Sequence, residues 1–188
     1  MPFLALITTY TIGQDLILNA KDYKPGIYRT FEEFKYNNPS IPLDYTFYDY
    51  EELYLGGYVT MYRLDVDKKE RQALGAVFGF CDGKNFYIQE SPNRIRMLTS
   101  FSKIEYLGKY CYFEDIISQG TGAQLSKKLG QKIIDIETGE VSKLKKSNLT
   151  KIIADDTELL NQFQQEPRKN KILEMYLYKY IKRQQSQE

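Results

Sequence analysis

The sequence predicts an α+β domain: a single antiparallel, β-hairpin-rich sheet followed by a C-terminal segment of two or three helices. Three observations point there. Turn signals recur between short apolar or aromatic runs, at Asp82-Gly83, Gly108-Lys109 and Thr138-Gly139. From residue 147 onward the apolar pattern takes helical spacing. Strands and helices are therefore segregated along the chain, not interleaved, which separates α+β from α/β.

Residues 1–14 open with Phe3-Leu4-Ala5-Leu6-Ile7 and pass to the smaller Thr11-Ile12-Gly13. Thr11 and Gly13 suit a signal-peptidase site, but no Lys or Arg precedes the run, so the segment is read either as a truncated signal or as another element. The alternative is a first strand of mixed apolar and Thr/Tyr content. Residues 15–188 then make one domain, sheet-rich over 41–144 and helical over 147–183. Pro25-Gly26 is a turn, and Thr30-Phe31-Glu32-Glu33 is a capping box, with the Glu33 carboxylate returning to the N-cap. Phe31 and Phe34 share one side of that short helix, which ends before Asn37-Asn38-Pro39.

Residues 45–58 are aromatic and acidic and close on Gly56-Gly57. Residues 58–66 alternate as a strand, and Asp67-Lys68-Lys69-Glu70 reads as a charged turn. Residues 75–81 and 84–89 flank Asp82-Gly83, where a type I′ turn with positive φ at both central positions is expected. A loop with Pro92 follows over 91–100, then a hairpin of 104–107 with 110–113. Gly120-Thr121-Gly122 is a flexible break, and 132–136 pairs with 141–144. Leu149, Ile152 and Ile153 mark a first helix of the tail. Asp155-Asp156-Thr157-Glu158 caps a second, carrying Leu159, Leu160 and Phe163 and stopped by Pro167. A last helix over about 170–183 aligns Ile172, Leu173, Tyr176, Leu177, Tyr180 and Ile181 in one stripe.

Composition excludes more than it identifies. The 188 residues include no histidine, against 17 tyrosines and 10 phenylalanines. Histidine-based nucleophilic triads and His-ligated metal sites are thereby removed. The formal net charge of +1 gives no global attraction for nucleic acid, and none is expected as a partner. The charge is uneven: residues 1–60 hold four Lys/Arg against eight Asp/Glu, whereas 121–188 hold thirteen against nine. No stretch approaches the ~20 apolar residues of a membrane-spanning helix. Cys81 and Cys111 lie in aromatic strand patterns and are read as buried thiols, with a single disulfide as the alternative for an exported chain.

Two stretches carry a family resemblance. Residues 26–34, with Asn38-Pro39-Ser40 behind them, form the first. Residues 79–88, followed by Gly108-Lys109-Tyr110-Cys111-Tyr112-Phe113, form the second. Together they resemble an uncharacterised family of secreted or periplasmic proteins from Bacteroidetes-type bacteria. The resemblance implies a periplasmic or cell-surface home and supports the signal segment. It implies no activity.

Candidate chemistry is sparse. Asp49, Glu51 and Glu52 among tyrosines suggest a sugar-binding or glycosidase-like patch, although a solvated acidic segment explains them as well. Asp65 and Asp67 are the other acids of that region. Gly79 to Gly83 lacks the phosphate-loop pattern and is a hairpin. Lys127, Lys128, Lys143, Lys145, Lys146 and Lys151 form a basic cluster, read as a solvated turn over a lipid or phosphate contact. No catalytic, cofactor-binding or metal-binding residue is assigned, and no cofactor is expected. The expected function is a non-catalytic binding module of the envelope, using tyrosine-rich strands as its contact surface, with an envelope protein or polysaccharide as partner. Two alternatives stand: a carboxylate-based hydrolase of carbohydrate, and a cytoplasmic interaction protein.

Overall fold

A computed structural model describes residues 16–89, 100–120 and 126–186. The signal segment or first strand, nearly all of the 91–100 loop, and Thr121-Gly122 lie outside the described residues. The architecture is α+β, as expected, in one domain. Seven strands form an antiparallel sheet: β1 (Gly26–Tyr28), β4 (Gly79–Cys81), β5 (Phe86–Ile88), β6 (Ser102–Tyr106), β7 (Tyr110–Gln119), β8 (Ser126–Asp135) and β9 (Val141–Lys143), adjacent in that order. The order follows the chain except at one place. Between β1 and β4 the chain leaves the sheet to form a separate hairpin, β2 (Phe47–Tyr54) and β3 (Gly57–Leu64), and the helix α2 (Lys68–Leu74).

Side-chain alternation sorts the core into layers. Cys111, Phe113 and Ile134 face one side, where α1 (Phe31–Lys35) and a 3-10 turn (Ile17–Asn19) add Phe34 and Ile17. Tyr112 and Ile133 face the other, under α3 (Lys146–Ile152), α4 (Thr157–Gln165) and α5 (Leu173–Gln185). Farther along that second face, Ile27, Phe80 and Tyr87 are covered by Leu64 of the hairpin and Leu74 of α2. Cys81 and Cys111 are buried free thiols in the first layer. Burial pushes them up, to about 11 and about 12 respectively.

Several local expectations change. Asp67 to Glu70 is not a turn but the start of α2. The Asp67 carboxylate accepts the Glu70 N–H at 2.7 Å and the Glu70 carboxylate accepts the Asp67 N–H at 2.7 Å. Asp67 and Glu70 thus form the capping box of a helix that the burial of Leu74 anchors. At α1, Thr30 accepts the Glu33 N–H at 3.2 Å, yet the Glu33 carboxylate reaches past the N-cap to the Arg29 N–H. The Asp82-Gly83 turn is also different. Cys81 pairs with Phe86, leaving four residues in the loop, and only Gly83 takes positive φ, at +92°. The Asp82 carboxylate closes it, accepting from Lys84 N–H, Asn85 N–H, the Asn85 amide and the Tyr87 hydroxyl at 2.6–3.1 Å.

The sheet also begins earlier than residue 41, because Pro25-Gly26 leads into β1. β7 and β8 extend well past the short apolar runs that marked them, pairing over ten residues from Tyr110↔Asp135 to Gln119↔Ser126. Their distal halves hold Ile116, Ile117 and Leu129 among polar residues without regular alternation, so apolar periodicity did not mark them.

Candidate interaction surface

The β2–β3 hairpin is the element the sequence singled out by its tyrosines and acids. Its register pairs Phe47 with Leu64 at the base and Leu53 with Tyr58 near the tip, around Leu55-Gly56. Gly56 and Gly57 both take positive φ, +128° and +152°, so a side chain at either would be strained. The base is bound into the core. The Phe47 ring lies 5.1 Å from Phe80 and 5.2 Å from Tyr87, and Tyr62 lies 4.5 Å from Tyr87. Tyr62 and Phe101 exchange backbone hydrogen bonds at 2.9 and 2.8 Å, joining the hairpin to the chain entering β6.

The tip is held at its backbone while its side chains stay in solvent. Leu55 N–H donates to the Lys127 carbonyl of β8 at 2.8 Å, and the Glu52 carboxylate pairs with the Lys127 ammonium. Leu53, Leu55 and Tyr58 are nevertheless 59%, 76% and 63% exposed. Leu53 and Tyr58 are cross-strand partners on one face, in line with the exposed Asp49 and Glu51. On the other face the exposed Tyr48 stands beside Arg63, whose guanidinium lies 6.0 Å from that ring and 4.7 Å from Tyr50. The Tyr50 hydroxyl is hydrogen-bonded to Ser100 at 2.9 Å.

The five acids of the sequence reading are dispersed. Asp49 and Glu51 lie two residues apart on the open face, Glu52 is turned to Lys127 on the opposite face, and Asp65 accepts from Thr46 Oγ1. Asp67 caps α2. Asp49, Glu51, Asp65 and Asp67 are exposed and Glu52 is half-buried against Lys127, so the five do not converge in one enclosed pocket. Two acids that the sequence did not suggest, Asp135 and Glu140, line a cavity of about 220 Å³ with Tyr110 and Lys151. Asp135 Oδ1 already accepts the Glu137 and Thr138 N–H groups, and the volume is below the ~300 Å³ usual for a ligand pocket.

Most other tyrosines are structural. Tyr176 and Tyr180 are buried in α5, with hydroxyls donating to Glu166 and Asp155 at 3.0 and 2.9 Å, as the stripe predicted. Tyr106 and Tyr112 stack at 5.4 Å and donate to Glu174 and Glu114, each at 2.7 Å. Burial, then the paired carboxylate, raises the Tyr106 hydroxyl to about 12. The basic cluster is split: Lys127 belongs to the hairpin contact, while Lys146 belongs to the helical tail.

The family of unknown function DUF6563 matches residues 26–132, more than half of the chain. The chain belongs to this family. Its matched region runs from the first residue of β1 into β8 and includes the whole β2–β3 hairpin, but neither β9 nor α3–α5. No curated protein and no solved structure matches the chain. None of the described helices is long and apolar enough to cross a membrane, and no cluster of potential metal ligands occurs among the described residues.

Proposed function

We propose that this protein is a non-catalytic binding module of the cell envelope, with the β2–β3 hairpin tip as its contact surface. One observation carries the reading. Leu53, Leu55 and Tyr58 project into solvent from a tip whose backbone is anchored to β8. Apolar side chains grouped in solvent are unfavourable unless a partner covers them, and a fixed backbone lowers the ordering cost of binding. Two aliphatic residues beside one tyrosine suit a protein pocket better than a sugar ring, which stacks on aromatic faces. Asp49 and Glu51 on the same face call for basic residues around that pocket. The carboxylate-hydrolase alternative lacks support from the acids on which it rested, and the cytoplasmic alternative would use this same surface. The family resemblance supports the envelope assignment, which cell fractionation tests directly.

The binding test uses a photo-crosslinking residue in place of Tyr58, compared with one in place of Tyr178 on α5. A discrete adduct from position 58 alone is expected, recovered from the envelope fraction. The adduct's purified partner should bind Tyr58→Ala about tenfold or more weakly, as expected for an aromatic anchor. Thermal stability should stay within about 0.5 kcal/mol, since the side chain is exposed. Equal diffuse labelling from both positions sinks the proposal. A polysaccharide adduct would instead move it to the sugar class.

A further inference from the structure

We propose that the helical tail carries a second binding site, for a phosphoryl group on a small anionic ligand or a lipid headgroup. The site is a concavity of about 420 Å³ where α3 meets the turn before α5, lined by Lys146, Pro167, Arg168, Lys169, Asn170 and Lys171. Four of these six residues are cationic and none is acidic. Sequence patterning placed Lys146 in a solvated turn with its neighbours in the chain. The fold instead sets it beside a cationic segment that follows α4.

The arrangement is ordered and not neutralised. Lys169 Nζ is hydrogen-bonded to the Glu166 carbonyl at 2.9 Å, and Lys171 N–H closes the turn on the Arg168 carbonyl at 2.9 Å. Pro167 forms a rigid part of the wall. Lys146, Arg168 and Lys171 have no carboxylate within ion-pair distance among the described residues. The two carboxylates closest in sequence are engaged by phenols: Glu166 accepts from Tyr176 at 3.0 Å and Glu174 from Tyr106 at 2.7 Å. Cations collected in one concavity repel one another, and an anion placed between them relieves that repulsion. A phosphoryl group fits because its several oxygens accept from lysine and arginine donors together. The volume falls within the ~300–1,000 Å³ of small-molecule sites, more than a bare ion fills. The site is independent of the hairpin surface and stands or falls without it.

The full chain is titrated with glycerol 3-phosphate by calorimetry, and separately with phosphatidylglycerol-containing vesicles against vesicles of phosphatidylcholine alone. Saturable binding to either phosphoryl probe is expected. The first marks a soluble ligand, and binding to the anionic vesicles alone marks a headgroup. Lys146→Gln with Arg168→Gln should weaken that binding by about tenfold or more through lost charge-assisted hydrogen bonds. Lys68→Gln with Lys69→Gln removes the same charge from exposed positions on α2 and should leave binding unchanged. Unchanged melting temperatures in both double variants make the comparison one of binding alone. The proposal is overturned if neither probe binds, or if the two double variants weaken binding equally.

Discussion

The residue that departs furthest from sequence expectation is Lys132, which is only 2% exposed in the middle of β8. Its ammonium donates to Asp115 Oδ2 of β7 at 2.9 Å, and the Asp115 side chain is itself 20% exposed. A lysine at such depth is tolerated because the ion pair offsets part of its lost hydration. Removing one partner therefore costs more than removing both. We predict that Asp115→Ala destabilises the protein by about 2–4 kcal/mol, somewhat below a fully enclosed pair because Asp115 keeps some contact with water. The double variant Lys132→Met, Asp115→Leu should recover most of that loss. Urea midpoints of the single and double variants provide the check; an unchanged midpoint in Asp115→Ala would show that the pair contributes nothing. No pattern in the sequence foretold this pairing, because Lys132 occupies an alternation position indistinguishable from an exposed one until the sheet's two covering layers are known.

At the scale of elements, the turn between β4 and β5 shows how one side chain can replace a turn type. Asp82 accepts four hydrogen bonds, two from backbone N–H groups. Partial burial pushes this carboxyl up, but the hydrogen bonds from Asn85, Lys84 and Tyr87 outweigh it and hold the group below the ordinary carboxylate range. A carboxyl depressed in the folded state stabilises at pH values above its unfolded pKa of ~3.9, and that contribution disappears as pH falls through the folded value. Asp82→Asn should therefore lose about 1–2 kcal/mol near neutral pH. The gap from the parent protein should stay constant down to about pH 5 and narrow below about pH 4. Urea denaturation at neutral and acid pH measures it; a gap that widens in acid contradicts the assignment. The location of this turn was legible from Asp-Gly, while its geometry was not, since the deciding bonds come from Asn85 and Tyr87. The same division holds for α2. Asp67 and Glu70 stood in the capping spacing, but a helix with one buried residue, Leu74, has no periodicity to reveal it. Of the candidate surface, the tyrosines and acids of β2 were legible as a region. Which of them face solvent was not, because Phe47 and Tyr62 are drawn into the core by Phe80 and Tyr87 from elsewhere in the chain.

For the whole molecule, the extent of the family match and the extent of the core do not coincide. The match ends at residue 132, partway along β8, yet one face of β7 and β8 is covered by helices beyond it. In that layer only Tyr112 and Ile133 belong to the sheet; Leu144 follows directly after β9, and the other ten buried residues come from α3 and its C-cap Ile153, α4 and α5. Gly108 makes the dependence local as well: a β-carbon there would lie 2.9 Å from Ile181 of α5, so the β6–β7 turn and the last helix are fitted to each other. Each large apolar side chain buried contributes about 1.5–3 kcal/mol, whereas the net stability of a domain is only about 5–15 kcal/mol. A chain ending at residue 145 should thus retain every strand and still fail to fold. We expect it to lose the cooperative thermal transition and to bind a hydrophobic dye at the uncovered face. A truncated chain that melts cooperatively at a temperature close to the parent's would show the opposite, that the tail is an accessory to a self-sufficient sheet. The outcome also bears on the two proposed surfaces. If the sheet needs the tail, hairpin and basic concavity belong to one cooperative unit, and a ligand that binds the tail in the folded state alone would raise the melting temperature of the hairpin with it.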